Sequence, residues 1–219
     1  MKKLTLSFDN GPTETVTPEV LDILAARDLG AYFCVVGTQL QAHESHPAIC
    51  RQALASGHRL VNHSLTHTTP LGECASEGHA RAEIHDMHTL MHTLLGEWGE
   101  PWFRPFGREG ALGPHVFSPA ALAQFRALEY SVMLWNSVPR DWVDPVGWVD
   151  RALGEIAARD HTLVVLHDID SGAMKHLPRF LDTVLDQGVT FTFELPSDCV
   201  PVTNGIANET LLGDLVCKA

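Results

Sequence analysis

Long apolar runs are missing from this chain. The stretch after Lys2 and Lys3 stops at Asp9, short of a secretory hydrophobic region, and no later run reaches the length of a membrane span. The expectation is a soluble, cytoplasmic protein with no membrane span. Positive charge is also scarce: 15 Lys and Arg stand against 27 Asp and Glu, a formal net charge of -12, which leaves no broad basic surface. Nucleic acid and anionic membranes are therefore excluded as expected partners, and a small-molecule or carbohydrate substrate fits better. The five cysteines, Cys34, Cys50, Cys74, Cys199 and Cys217, form no C-x-x-C pair, and their odd number opposes a closed disulfide framework. They read as mostly buried thiols of a reducing compartment. No internal repeat or low-complexity segment is evident, and nothing in the sequence sets the oligomeric state.

What is present suffices for one large domain: 219 residues, 45% hydrophobic and 19% charged, can bury a full core. Leu4-Thr5-Leu6-Ser7-Phe8 alternates like a strand and ends at the turn formers Asp9-Asn10-Gly11-Pro12. A helix over residues 18–27, a strand at 31–36, a helix at 47–56 and a strand at 59–62 follow. The alternation continues with a long helix at 77–95, a strand at 102–103, a helix at 119–128 and a strand at 131–134. It closes with a helix at 145–159, the β-branched strand 162–166, a helix at 175–187 and a strand at 189–193. About seven strands alternating with helices predict an α/β fold with a parallel sheet, a (β/α) barrel of seven to eight units. Residues 1–195 form the expected catalytic domain and 196–219 a closing tail with a short helix at 209–216.

The polar residues fall on one rim. Asp9, His63, Arg104 and His167 each stand at or just past the C-terminal end of a predicted strand, where barrel chemistry is built, and Asp141 follows another. His63-Ser64-Leu65-Thr66-His67 spaces two imidazoles four residues apart, so a helical turn after the strand would let both face one ion. Two imidazoles and an oxygen ligand would leave open positions for water and substrate, as a catalytic zinc-like ion requires. Asp9-Asn10 offers adjacent polar side chains, one for an ion and one for a water, although Asp-Asn-Gly-Pro also serves simply as a turn. Arg104 is either a surface cation or part of a rigid Phe103-Arg104-Pro105-Phe106-Gly107 stretch whose N–H groups could meet an oxyanion. His167 either ends its strand in a hydrogen bond or, held by a carboxylate, donates a proton.

Together these stretches resemble the polysaccharide deacetylase, or NodB-homology, domain of carbohydrate esterase family 4. Ser7-Phe8-Asp9-Asn10-Gly11-Pro12 resembles its T-F-D-D-G-P, His63-Ser64-Leu65-Thr66-His67 its H-[ST]-x-x-H, and Leu166-His167-Asp168 its L-H-D. Trp135 through Asp141-Trp142 meets W-x-x-x-x-x-D-W, and Arg104-Pro105-Phe106-Gly107 stands for R-P-P-Y-G. The resemblance implies a deformed (β/α) barrel with seven to eight units and removal of acetyl groups from N-acetylated sugars. It implies Asp9 as general base held by Arg104, and Asn10, His63 and His67 as ligands of one divalent ion, Zn2+ ahead of Co2+, Ni2+ or Mn2+. It also implies His167 as general acid with its pKa raised by Asp141, Phe106 and Gly107 beside the oxyanion, and Trp142 and Leu166 lining the acyl pocket.

Two departures alter the expectation. Asn10 replaces the family's second aspartate, so the ion keeps one more positive charge: it should bind less tightly, and its water should be more acidic. The arginine motif lacks one proline and the tyrosine. That loss, with the missing secretion signal, points away from cell-wall polymers toward a nucleotide-linked or lipid-linked sugar precursor or a small cyclic amide. Rival readings are an amidase on a linear or cyclic amide and a catalytically weakened carbohydrate-binding protein. His85, His88 and His92 lie on one side of the long helix, as a second metal face or, with apolar residues between them, as its polar side. Trp98 and Trp102 suit either sugar stacking or core packing.

Overall fold

The computed structural model describes residues 2–218. Its centre is strand β1, Lys3–Asp9, paired in parallel with β2, Tyr32–Val35, on one side and β6, His161–His167, on the other. Leu4, Phe8, Leu163, Val164 and Leu166 are fully buried, which is why these strands read as near-continuous apolar runs. From β2 the sheet continues in parallel through β3, Arg59–Asn62, and β4, Trp102–Phe103, to β5, Ser131–Val132. The chain beyond β5 returns to β6 through a parallel bridge between Ser137 and Val164, with Val165 N–H donating to the Ser137 carbonyl at 3.0 Å. A bridge, and no full ladder, therefore joins the two ends. This is the deformed barrel expected of the sequence.

Helices α1, Val16–Ala25, α2, Gly37–Ala42, α3, His46–Ala55, α4, Glu77–Ala80, α5, Met87–Leu95, and α6, Pro119–Ala127, precede α7, Trp148–Ala157, and α8, Leu177–Asp186. Each long helix turns an apolar stripe inward; on α1 it is Val20, Leu21 and Leu24. Trp148 of α7 and Phe180 of α8 meet with ring centroids 5.1 Å apart. Ser118 caps α6, its hydroxyl accepting from Ala121 N–H at 3.2 Å, with Pro119 at the first helical position.

The structure departs from the sequence reading in five places. The single helix expected at 77–95 is divided into α4, a π-helical segment Arg81–Asp86, and α5. Helix α2, six residues with no periodic signal, went unread. The helix expected from 145 starts at Trp148, because the Asp144 carboxylate accepts from Gly147 N–H at 2.9 Å and holds the preceding residues as a turn. Residues beyond 196 join the sheet: β8, Val202–Thr203, pairs antiparallel with β5 and with β9, Ile206–Ala207, so the sheet is mixed. The expected tail helix is shorter, α9 at Glu209–Leu212 followed by a 3-10 turn. The last strand of the alternation, β7, Thr190–Phe191, pairs with the start of β1. Among the described residues no helix is long and apolar enough to cross a membrane.

Candidate active site

Strand register assembles the rim. Asp9 ends β1 with His167 of β6 as its lateral partner on one side and Cys34 of β2 on the other. Asn62 of β3 is paired with Phe103, so His63 and Arg104 emerge as neighbours, and His63 Nδ1 donates to the Arg104 carbonyl at 2.7 Å. These strand ends, with the loops after β4 and β5, enclose a cavity of about 290 Å³ whose wall is mostly apolar. Asp9, Asn10, His63, His67, Phe106, Gly107, Trp142 and His167 line it. Arg104 and Asp141 are fully buried behind that wall, each holding a lining residue.

The Arg104 guanidinium reaches both Asp9 oxygens at 3.3 and 3.2 Å, donates to Ser7 Oγ at 3.1 Å and to the Met133 carbonyl at 3.1 Å. Burial by itself would raise the Asp9 carboxyl, but the charges of Arg104 and His167 outweigh it and hold Asp9 below the usual carboxylate range. Asp9 is thus an anion that accepts a proton only from an acidified donor. Opposite it, Asp141 accepts twice from His167, from its backbone N–H at 2.9 Å and from Nδ1 at 2.8 Å. Burial works against the imidazolium, but the hydrogen bond and charge of Asp141, with Asp9 adding to them, raise the His167 pKa above its ordinary value. The Trp142 ring stands edge-on to His167 at 4.7 Å.

The two spaced histidines do meet, with ring centroids 4.7 Å apart, but not through a helical turn. Ser64 at φ 70° and His67 at φ 54° are left-handed, so the segment doubles back tightly after β3. Burial keeps His63 below its usual pKa, and burial together with His63 takes His67 down to about 3. Both are neutral imidazoles, the form in which nitrogen ligates a metal. The Phe106 ring stacks on His67 at 4.0 Å.

The donor chemistry of this corner, His63, His67 and Asn10, fits a cation. With His63 Nδ1 used as donor to the Arg104 carbonyl, its Nε2 carries a lone pair, and it lies 3.5 Å from Asp9 Oδ2, another acceptor. Asn10, left-handed at φ 76°, buries a side-chain Oδ1 with no hydrogen-bond partner. An orphaned buried acceptor is rare and costs about 1–3 kcal/mol unless something satisfies it. Among the described residues no group of three His, Cys, Asp or Glu is arranged to hold an ion; the donor set here is two imidazoles and an amide oxygen.

One expected role moves. Leu166 does not line the pocket: it is fully buried in the core, and Val165 forms the wall in its place. Side chains alternate along a strand, so the residue sharing a face with His167 is two positions back, not one. Trp135, Val138 and Ile169 also line the cavity and carried no assigned contact in the sequence reading. The third residue of Leu166-His167-Asp168 is turned elsewhere: Thr17 Oγ1 donates to its carboxylate at 2.6 Å, and burial raises it to about 6. A Cβ on Gly11 would lie 2.2 Å from that carboxylate, so only glycine fits there. His88, on the long helix, bonds Tyr130 through Nδ1 at 2.9 Å, and Trp98 is buried core.

Comparison with known proteins identifies the family. Residues 1–123 match the polysaccharide deacetylase family. A chitooligosaccharide deacetylase from Bradyrhizobium sp. (strain ANU 289) is 31% identical over 169 residues, covering 76% of this chain and 71% of its own. A peptidoglycan-N-acetylglucosamine deacetylase from Bacillus cereus is 29% identical over 195 residues, covering 87% and 85%. Among solved structures, a family 4 acetyl xylan esterase from Clostridium thermocellum in complex with a cobalt ion superposes with a TM-score of 0.66 at 25% identity, covering 87% of each chain. The matched region spans more than half of the sequence and contains Asp9, Asn10, His63, His67 and Arg104. This chain belongs to the polysaccharide deacetylase family.

Proposed function

We propose that the protein is a metal-dependent hydrolase that removes the acetyl group from the amide nitrogen of an N-acetylated amino sugar. The observation that carries this reading is the pair of titratable groups facing each other across the cavity. Arg104 holds Asp9 below the usual carboxylate range, and Asp141 raises His167 above the ordinary histidine value. Environments that push two groups apart in this way assign an acid and a base. The sugar class is taken from relatives described as acting on chitooligosaccharides and on the N-acetylglucosamine of peptidoglycan.

In this scheme the substrate's acetyl methyl enters the apolar wall of Val165, Trp142 and Ile169. Asn10 Oδ1, His63 Nε2 and a nitrogen of His67 would hold one divalent ion, zinc being our choice for two imidazoles and an oxygen. When bound, the ion supplies an acidified water and a positive charge for the developing oxyanion. Asp9 takes the proton of the attacking water, and Arg104 keeps its carboxylate turned to the cavity. His167 Nε2 delivers a proton to the leaving nitrogen while Asp141 holds Nδ1–H. Trp142 and Phe106 exclude water on either side of the scissile amide.

The test is acetate release from N-acetylglucosamine oligomers by the zinc-loaded protein, beside Asp9→Asn and His167→Ala. Loss of at least about a hundredfold in each variant is expected of a base and an acid that act in the transition state. Full activity in folded Asp9→Asn contradicts the scheme. A second reading, a sugar-binding protein without turnover, is favoured by one feature: Asn10 brings no negative charge to the ion. It predicts oligosaccharide binding by calorimetry with no acetate formed, with or without added zinc.

A further inference from the structure

Glu83 has no part in the scheme above, yet it is a charged side chain only 3% exposed. It lies in the π-helical segment Arg81–Asp86 and spends both carboxylate oxygens on Thr66: Oε2 accepts the backbone N–H at 2.9 Å and Oε1 the hydroxyl at 2.7 Å. One residue further, the Ile84 carbonyl accepts from Asn62 Nδ2 at 3.1 Å. That same Nδ2 donates to the Tyr130 hydroxyl at 3.0 Å, while Asn62 Oδ1 accepts from Ser64 N–H at 3.0 Å. Asn62 immediately precedes His63, and Thr66 immediately precedes His67. Each imidazole is therefore preceded by a residue fastened to the same turn of helix.

The segment between them needs such fastening. Ser64 and His67 are non-glycine residues in left-handed conformations, which persist where the surroundings over-determine them. Within the segment, His67 N–H finds Ser64 Oγ at 3.1 Å; from outside, Gly37 and Thr38 N–H groups donate to the Ser64 and Leu65 carbonyls at 3.0 and 2.8 Å. Those bonds hold the middle of the turn, and Glu83 and Ile84 hold its two ends. A single π turn inside an α-helix is rare and tends to occur beside functional sites. Here it carries both anchors on consecutive residues.

Resting on the reading of His63 and His67 as metal ligands, the geometry points to the π-helical segment as the element that positions both imidazoles, with Glu83 and Asn62 as positioning residues. Groups that orient a ligand set its affinity without touching the ion, and their loss costs about 10–100-fold in binding.

Cobalt(II) is the probe, because its visible bands report the geometry of the nitrogens around it. The full chain, stripped of metal, is titrated with cobalt as wild type, Glu83→Ala and Glu83→Gln, with thermal unfolding followed alongside. Glu83→Ala should bind cobalt about 10–100-fold more weakly and show altered bands. Glu83→Gln should recover most of the affinity, since its amide oxygen accepts from Thr66 N–H and its NH2 donates to the Thr66 hydroxyl. Unchanged affinity and spectrum in folded Glu83→Ala overturn the proposal, and so does a loss of stability with cobalt binding intact. If Glu83→Ala does not fold, Thr66→Val, which removes the hydroxyl bond alone, decides the matter: weaker cobalt binding supports the proposal and unchanged binding overturns it. A wild-type protein that takes up no cobalt brings down the metal-ligand reading itself, an outcome distinct from failure of the variants alone.

Discussion

The sharpest consequence of the site concerns Asp141→Asn. Asp141 is fully buried, does not line the cavity, and accepts from both the backbone N–H and Nδ1 of His167, at 2.9 and 2.8 Å. An asparagine has one acceptor oxygen and one donor nitrogen in the same positions. The backbone N–H is a fixed donor, so the amide oxygen must stay on it and the NH2 must face Nδ1. Nδ1 is then required to accept, which disfavours the imidazolium, where both ring nitrogens carry protons. Removing the charge acts in the same direction, and an adjacent opposite charge is typically worth about 1–3 pKa units. His167 acts as the acid, so activity is present below its pKa and is lost as pH rises through it. In the wild type that limb lies above the ordinary histidine value, because Asp141 and Asp9 raise it. The same raised pKa gives a stability contribution that is fully present below the unfolded-state value and disappears as pH rises through the folded one. In Asp141→Asn the alkaline limb of kcat should move down by about 1–3 pH units, and the pH-dependent stability should shrink by about 1.4 kcal/mol for each unit lost. The assay is initial acetate release from pH 5 to 9, with urea unfolding at matched pH. A lower rate with an unmoved limb would show that His167 is not the acid or that Asp141 does not govern it.

Other outcomes follow from single residues. Asn10→Asp restores a charged oxygen ligand and should tighten zinc binding at least about tenfold, as measured by competition with a chromophoric chelator; equal affinities would remove Asn10 from the ligand set. Arg104→Met leaves the buried Asp9 carboxylate without its partner and should cost about 3–5 kcal/mol in denaturant unfolding, with a loss below about 1 kcal/mol contradicting the buried pair. Leu166→Ala should destabilise by about 2–5 kcal/mol with little change in KM, because Leu166 is core. Val165→Phe should instead raise KM or abolish turnover in a protein that still folds, and the reverse pattern would return the wall to Leu166.

How far the sequence could be read depends on the range of the forces involved. Strand β6 was legible because its burial on both faces demands a continuous apolar run, and α1 because its stripe has a helical period. The rim residues Asp9, His63, Arg104 and His167 were legible because they end strands, and the register of β1 against β6 then sets Asp9 beside His167. Leu166 was misplaced because a three-letter motif does not say which face a residue occupies, whereas strand alternation does. Glu83 gave no signal at all. In the sequence it is an acidic residue on an amphipathic helix, and its burial depends on Thr66 and on a π turn. The strands added after residue 196 were invisible for a similar reason: β8 and β9 are two residues each and exist through pairing with β5.

The central claim, a metal-dependent deacetylase built on Asp9, Asn10, His63, His67 and His167, is tested most directly by chelation and reconstitution. The protein is stripped with chelator, incubated with N-acetylglucosamine oligomers, and assayed for acetate before and after one equivalent of zinc is returned. The account predicts no acetate from the stripped protein and recovered release on adding zinc, with glucosamine residues appearing in equal amount. Undiminished release from the stripped protein, or none with zinc, cobalt, nickel or manganese restored, would contradict it.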